Sequence, residues 1–175
     1  MEVLEREFNT KDALNSFLRV SKEVLISPKT FFLFMPREVG FSGPVIYLGI
    51  CFAIWGILRS LSLWDPSFLL FALYVFFLSF ISAGVLYIVA TKLFGGKGTY
   101  EGTFRIVAYS SVVNLLSWIP YVGFIASLYG LWIKVLGLES VHGLSKVEAS
   151  LTLLIGLGVF VLLSAPVGGF VFIWT

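Results

Sequence analysis

Residues 104–146 read FRIVAYSSVVNLLSWIPYVGFIASLYGLWIKVLGLESVHGLSK, and the fold turns on how that stretch is read. Two apolar segments meet at Ile119-Pro120 with almost no loop between them. The first carries Ser110, Asn114 and Ser117, spaced to share one helical face. The second carries the small residues Gly123, Ser127 and Gly130 and ends its stripe at Lys134. The pattern predicts a tight antiparallel membrane hairpin with its tip outside the cell.

The surrounding chain agrees. Of its 175 residues 58% are hydrophobic and 13% charged, against about 45–50% and about 25% for a soluble domain. This is the composition of an all-α, polytopic membrane protein. The formal net charge of +2 is too small to suggest nucleic acid as a partner. The one cysteine, Cys51, lies within an apolar run, which leaves no intrachain disulfide and fits a small buried or lipid-facing side chain. Met1–Lys11 alternates acidic and basic residues, so no secretory signal peptide is expected there.

Two units follow. Residues 1–43 form an N-terminal segment with an amphipathic helix at about 11–26 and a short aromatic helix at about 28–35. In the first, Ala13, Leu14, Phe17, Leu18, Ser21, Val24 and Leu25 share a face, with Asn9 or Thr10 as cap. It is too short and polar to span a bilayer. It is expected either in the interface or on the protein's own cytosolic face. Residues 44–175 hold five predicted transmembrane helices, at about 44–63, 67–92, 100–118, 121–138 and 147–174. Each hairpin helix is about 27–29 Å long at 1.5 Å per residue, just enough for a hydrocarbon core of about 30 Å. Thr99 is placed to cap the third span, and Glu101 and Arg105 form an i,i+4 pair. Ser145 and Glu148 have capping-box spacing, and Pro166 with Gly168-Gly169 should kink the last span.

With five spans, every basic residue of the 12 except Arg59 falls on one side. The positive-inside rule then puts the N-terminus in the cytosol and the C-terminus outside, as a multi-pass protein of the cell membrane.

Several short motifs add a resemblance. Ser27-Pro28 with Phe31-Phe32 precedes the first span, and Ala108-Tyr109-Ser110-Ser111 lies in the third. Pro120 follows Ile119 at the tip, then come Tyr129, Gly137-Leu138 and His142-Gly143-Leu144-Ser145. In order and spacing these resemble the Ypt-interacting-protein (Yip) domain family, from about Ser27 to the C-terminus. The resemblance implies five transmembrane helices and a cytosolic N-terminus. Eukaryotic members associate with Rab-type GTPases in vesicle traffic. This chain looks like the compact prokaryotic branch, for which no activity is established.

Ser110, Asn114, Ser117 and Ser127 form the candidate intramembrane polar cluster. At the tip's geometry Asn114 and Ser127 lie at nearly equal depth, so a hydrogen bond between them, or one to backbone, is expected at about 0.6 kcal/mol. The competing role is a polar lining for a substrate or ion path. Arg59 is expected to snorkel to the surface near Asp65, or to contact an anion or lipid headgroup from a buried position. Lys134 is expected to snorkel to the inner end. His142 with Glu139, Ser145 and Glu148 makes a poor metal site, having one histidine and no cysteine, and reads as a loop or helix-cap residue. Gly95, Gly96 and Gly98 beside Lys97 do not match a phosphate-binding loop and read as a flexible turn. Small residues four apart, such as Gly49 with Ala53 and Gly56 with Ser60, suit packing within the monomer or a homo-oligomer interface.

No catalytic set, metal site or cofactor motif is found, and the chain is not expected to be an enzyme. The expected role is a scaffold or adaptor that organises membrane or recruits a protein partner through its cytosolic N-terminal helices. The lipid bilayer is the other partner. The alternative is a small transporter or channel, with a polar path lined by the Ser110/Asn114/Ser117 stripe and the kinked last helix.

Overall fold

A computed structural model of the chain describes residues 8, 9 and 12–172, without the side chains of residue 160 and of residues 163–172. Among these residues every regular element is helical. The order is α1 (Ala13–Ile26), α2 (Pro28–Phe34), α3 (Ser42–Leu63), α4 (Ser67–Lys92), α5 (Tyr100–Ser110), a 3-10 turn at Ser111–Val113, α6 (Asn114–Ser117), α7 (Val122–His142) and α8 (Lys146–Phe172). Helix α4 packs on α3, α5 and α8, while α7 packs on α2, α5, α6 and α8.

The bundle has two unlike ends. At one, the turns carry Gly40, Gly95, Gly96, Gly98 and Gly143; we call it the glycine end. At the other, the chain reverses at Pro66 between α3 and α4 and at Pro120 between α6 and α7; this is the proline end.

Among the described residues three helices, α3, α4 and α7, are each long and apolar enough to cross a membrane. The expected third span is not one continuous helix. It is α5, a 3-10 turn and α6 in series. The break has a local cause. Ser110 and Ser111 donate their hydroxyls to the carbonyls of Val107 and Ala108, three residues back, at 3.1 and 2.6 Å. Such back-bonding competes with the helix ladder and accompanies tightening of the turn. Helix α8 continues to Phe172, and the kink expected at Pro166 and Gly168-Gly169 lies outside the described side chains.

The hairpin itself is present. Gly123, Gly130 and Gly137 line one side of α7 and bring it onto α5 and α6. A Cβ at these positions would stand 2.5 Å from the Ser117 carbonyl oxygen, 2.7 Å from Val113 and 2.6 Å from Ile106. Gly56 likewise meets Ala72 of α4, so that small-residue pair serves contact within the monomer. Helix α5 and the 3-10 turn hold the longest buried run among the described residues: every residue from Gly102 to Val113 is buried.

Helix α1 is docked on the bundle, against α2, α5 and the 3-10 turn. Its seated face is rotated from the expected one. Ser16, Val20, Ser21 and Val24 are buried, whereas Leu14 and Leu18 are exposed. The cap differs as well. Asp12 stands at N-cap with no side-chain cap bond, and the Asn9 backbone N–H donates to Ser16 Oγ at 2.7 Å. Thr10 lies outside the described residues.

Candidate functional site

The elbow between α1 and α2 is held from three sides. Pro28 is buried at the first position of α2, where its missing N–H costs nothing. The Tyr109 ring stands edge-on between Phe31 and Tyr47, with centroids 5.2 and 5.1 Å away. Ser21 and Tyr47 share a hydroxyl hydrogen bond of 2.8 Å, and Phe17 lies 5.0 Å from the Tyr47 ring. From α7, Tyr129 donates its hydroxyl to the Leu25 carbonyl at 2.6 Å. The Lys29 ammonium pairs with Glu139 at 3.1 Å, and Arg37 donates to the Ser140 carbonyl at 3.1 Å.

Beyond α2 the chain is clamped to α5. Glu101 accepts the backbone N–H groups of Val39 and Gly40 at 2.8 and 2.7 Å. Arg105 donates to Glu101 at 3.0 Å and to the Gly40 carbonyl at 2.7 Å. Arg105 is fully buried and is the largest such side chain described. The sequence marks the i,i+4 pair, but not that it grips a separate segment. Thr99 caps α5 as expected, accepting from the Gly102 N–H at 3.1 Å.

His142 is the last residue of α7, not part of a loop, and it is buried. The glycine-rich turn closes over it. A Cβ on Gly96 or Gly98 would stand 2.9 or 2.8 Å from His142 ring or side-chain atoms. The Lys97 N–H donates to the His142 carbonyl at 3.0 Å. The turn is therefore a fitted cover, not the flexible connection expected. Thr103 Oγ1 donates to the Thr99 carbonyl at 2.8 Å and lies 2.8 Å from His142 Nε2. Its one proton is thereby used, so Nε2 must carry the imidazole proton and donate. Nδ1 is left a buried acceptor with no partner among the described residues. Gly143 ends α7 in the left-handed conformation. Ser145 and Glu148 form the expected capping box, through Ser145 N–H to Glu148 at 2.8 Å and Glu148 N–H to Ser145 Oγ at 3.3 Å. Among the described residues no three His, Cys, Asp or Glu side chains are grouped so as to hold a metal ion.

Toward the proline end a cavity of about 430 Å³ lies between α3, α4, the broken segment and α7. Ser110, Asn114, Ser117 and Ser127 all line it, so the polar cluster comes together in space. The expected Asn114–Ser127 hydrogen bond is absent. Ser127 donates to its own helix at Gly123 (2.8 Å), and Ser117 donates to the Asn114 carbonyl (2.9 Å). No hydrogen bond of the Asn114 amide to any described residue is present. Ser79, Ser82 and Ser111 join the lining, and so does Lys134. Lys134 does not reach the inner end as expected. It stands eight residues before His142 on α7, about 12 Å at 1.5 Å per residue. The described lining stops at Leu48, Val107 and Lys134, and Tyr47, Phe104, Ile106 and Leu138 beyond them are fully buried. Arg59 lies elsewhere, near the proline end, with its guanidinium 5.4 Å from the Phe68 ring centroid. Asp65 accepts from the Ser67 N–H at 2.9 Å, which holds its exposed carboxyl below the usual range.

A family model for the Yip1 domain matches residues 22–168. The chain belongs to the Yip1 domain family. No curated protein and no solved structure matches it. The residues that carry the sequence resemblance fall into groups with plain physical duties. Pro28, Tyr109 and Tyr129 seat the α1–α2 elbow, although they lie on three different helices. His142, Gly143 and Ser145 turn α7 into α8 beneath the glycine cover. Ser110 faces the cavity, and Pro120 opens the proline-end turn. Sequence reasoning missed Arg105, Tyr47 and Lys134 as organising side chains. For Lys134 the signal was available: a lysine well inside an apolar helix is a functional-site hypothesis by default.

Proposed function

We propose that this Yip1-domain protein is a five-span, multi-pass protein of the cell membrane that works as a non-enzymatic scaffold or adaptor, with α1 and α2 at its cytosolic face. The observation that carries the reading is the seat of α1. One face is locked to the bundle through Ser21, Tyr47, Tyr109 and Tyr129, while Leu14, Leu18 and Ile26 face away and are exposed. An amphipathic helix held rigidly with an unpartnered apolar edge suits either a headgroup-level lipid contact or a partner helix. Its flanking Arg19 and Lys22 suit an anionic membrane surface.

The test is a photo-crosslinking residue at Leu18, activated in native membranes, with Tyr74 as the control position. A protein adduct of defined mass at Leu18, absent at position 74, is the expected result for an adaptor. Adducts to lipid alone would reduce the role to membrane attachment and defeat the recruiting part of the proposal. The transport alternative has the polar cavity in its favour. However, the described lining stops short of the glycine end, and no described side chain of α8 is part of it.

A further inference from the structure

We propose that the cavity at Lys134 and Asn114 is a binding site for an oxyanion, of the carboxylate or phosphate class. The inference does not depend on the adaptor reading, since it rests on different residues. Among the described residues no Asp or Glu lines the cavity. Among the described residues Lys134 makes no ion pair. A lysine ammonium inside an apolar helix is tolerated when it pairs or faces a polar space. Here the space is present and no described residue supplies the counter-charge, which assigns that part to a bound anion.

The rest of the lining fits that partner. The Asn114 amide, not engaged with any described residue, supplies N–H donors to the same cavity as the ammonium. The Ser82 hydroxyl, which makes no hydrogen bond to a described residue, can donate to an anion. Ser127, whose proton goes to the Gly123 carbonyl, keeps lone pairs that can accept from the lysine. Toward the proline end, Phe52, Trp55 and Phe71 add an apolar wall, as an acyl chain or aromatic acid would require. The volume of about 430 Å³ lies within the range of small-molecule sites.

Calorimetric titration of the purified full-length protein in a neutral detergent tests this with three probes: dioctanoyl phosphatidate, dioctanoyl phosphatidylcholine and inorganic phosphate. Phosphatidate is expected to bind saturably. Lys134→Gln should weaken it by about tenfold to a hundredfold, the worth of a charge-assisted contact. Lys134→Arg should retain most of the affinity, and Asn114→Leu should lose less than Lys134→Gln. Lysine-dependent binding of phosphatidate but not phosphate assigns the site to a lipid headgroup. Lysine-dependent binding of phosphate assigns it to a free anion. Equal binding of phosphatidylcholine, or an unchanged affinity in Lys134→Gln, would overturn the proposal. A check independent of variant folding is the wild-type melting temperature, which should rise with the oxyanion probe and not with phosphatidylcholine.

Discussion

At the glycine end Gly40, Gly95 and Gly143 occupy the positive-φ positions, whereas at the proline end Trp64 and Tyr121 do, at +54° and +63°. Glycine adopts that region without a Cβ penalty. An aromatic residue there stores about 1–3 kcal/mol of strain. Tyr121 sits in a γ-turn closed by Val122 N–H to the Pro120 carbonyl at 2.7 Å, a turn of the strained hand. Polar groups divide in the same way. The glycine end fits Arg105 and Glu101 to each other and to the Val39 and Gly40 backbone, and His142 to Thr103, with little space left. The proline half keeps the Ser117 and Ser127 hydroxyls bonded to their own helices and leaves a cavity holding Lys134 and Asn114. One end is built to hold a geometry, and the other keeps strain and room.

The sharpest way to break that contrast is to remove one arginine from each end. Arg105→Met should cost about 3–5 kcal/mol, as a buried ion pair loses one partner and the Gly40 carbonyl its donor. Arg59→Met, which gives up a contact over the Phe68 ring, should cost about 0.5–1 kcal/mol. Denaturation of both variants in detergent checks this, and equal losses would erase the distinction. Next in size is Gly98→Ala, expected to cost about 1–3 kcal/mol by forcing a Cβ onto the His142 ring. Combining it with His142→Ala should recover part of that loss in a double-mutant cycle. The last effect has the opposite sign. Tyr121→Gly should stabilise by about 1 kcal/mol, the released turn strain less the added chain entropy.

What could be read from the sequence was local in spacing. The α3–α4 turn at Asp65-Pro66, the Thr99 cap, the Ser145–Glu148 box and the hairpin about Pro120 each depend on residues within a few positions of one another. The seat of α1 depends on residues more than a hundred positions apart, such as Leu25 with Tyr129 and Lys29 with Glu139. Its facing was misread because apolar Leu14 and Leu18 turn outward while Ser16 and Ser21 turn in. Hydrophobicity orients a helix poorly where both of its surroundings are apolar. The third span was read as continuous because apolarity does not register the hydroxyl back-bonds of Ser110 and Ser111. The polar cluster was legible as a face and was found as one wall of a cavity. The pairing expected inside it failed because each hydroxyl found a nearer acceptor on its own helix.

The proposed topology sets the two ends on opposite sides of the membrane, and cysteine accessibility in intact cells tests it most directly. Cys51 is buried and is replaced by alanine to clear the background. A membrane-impermeant maleimide should then label Tyr121→Cys from outside, and Lys97→Cys only after permeabilisation. Labelling of both positions from the same side would contradict the account.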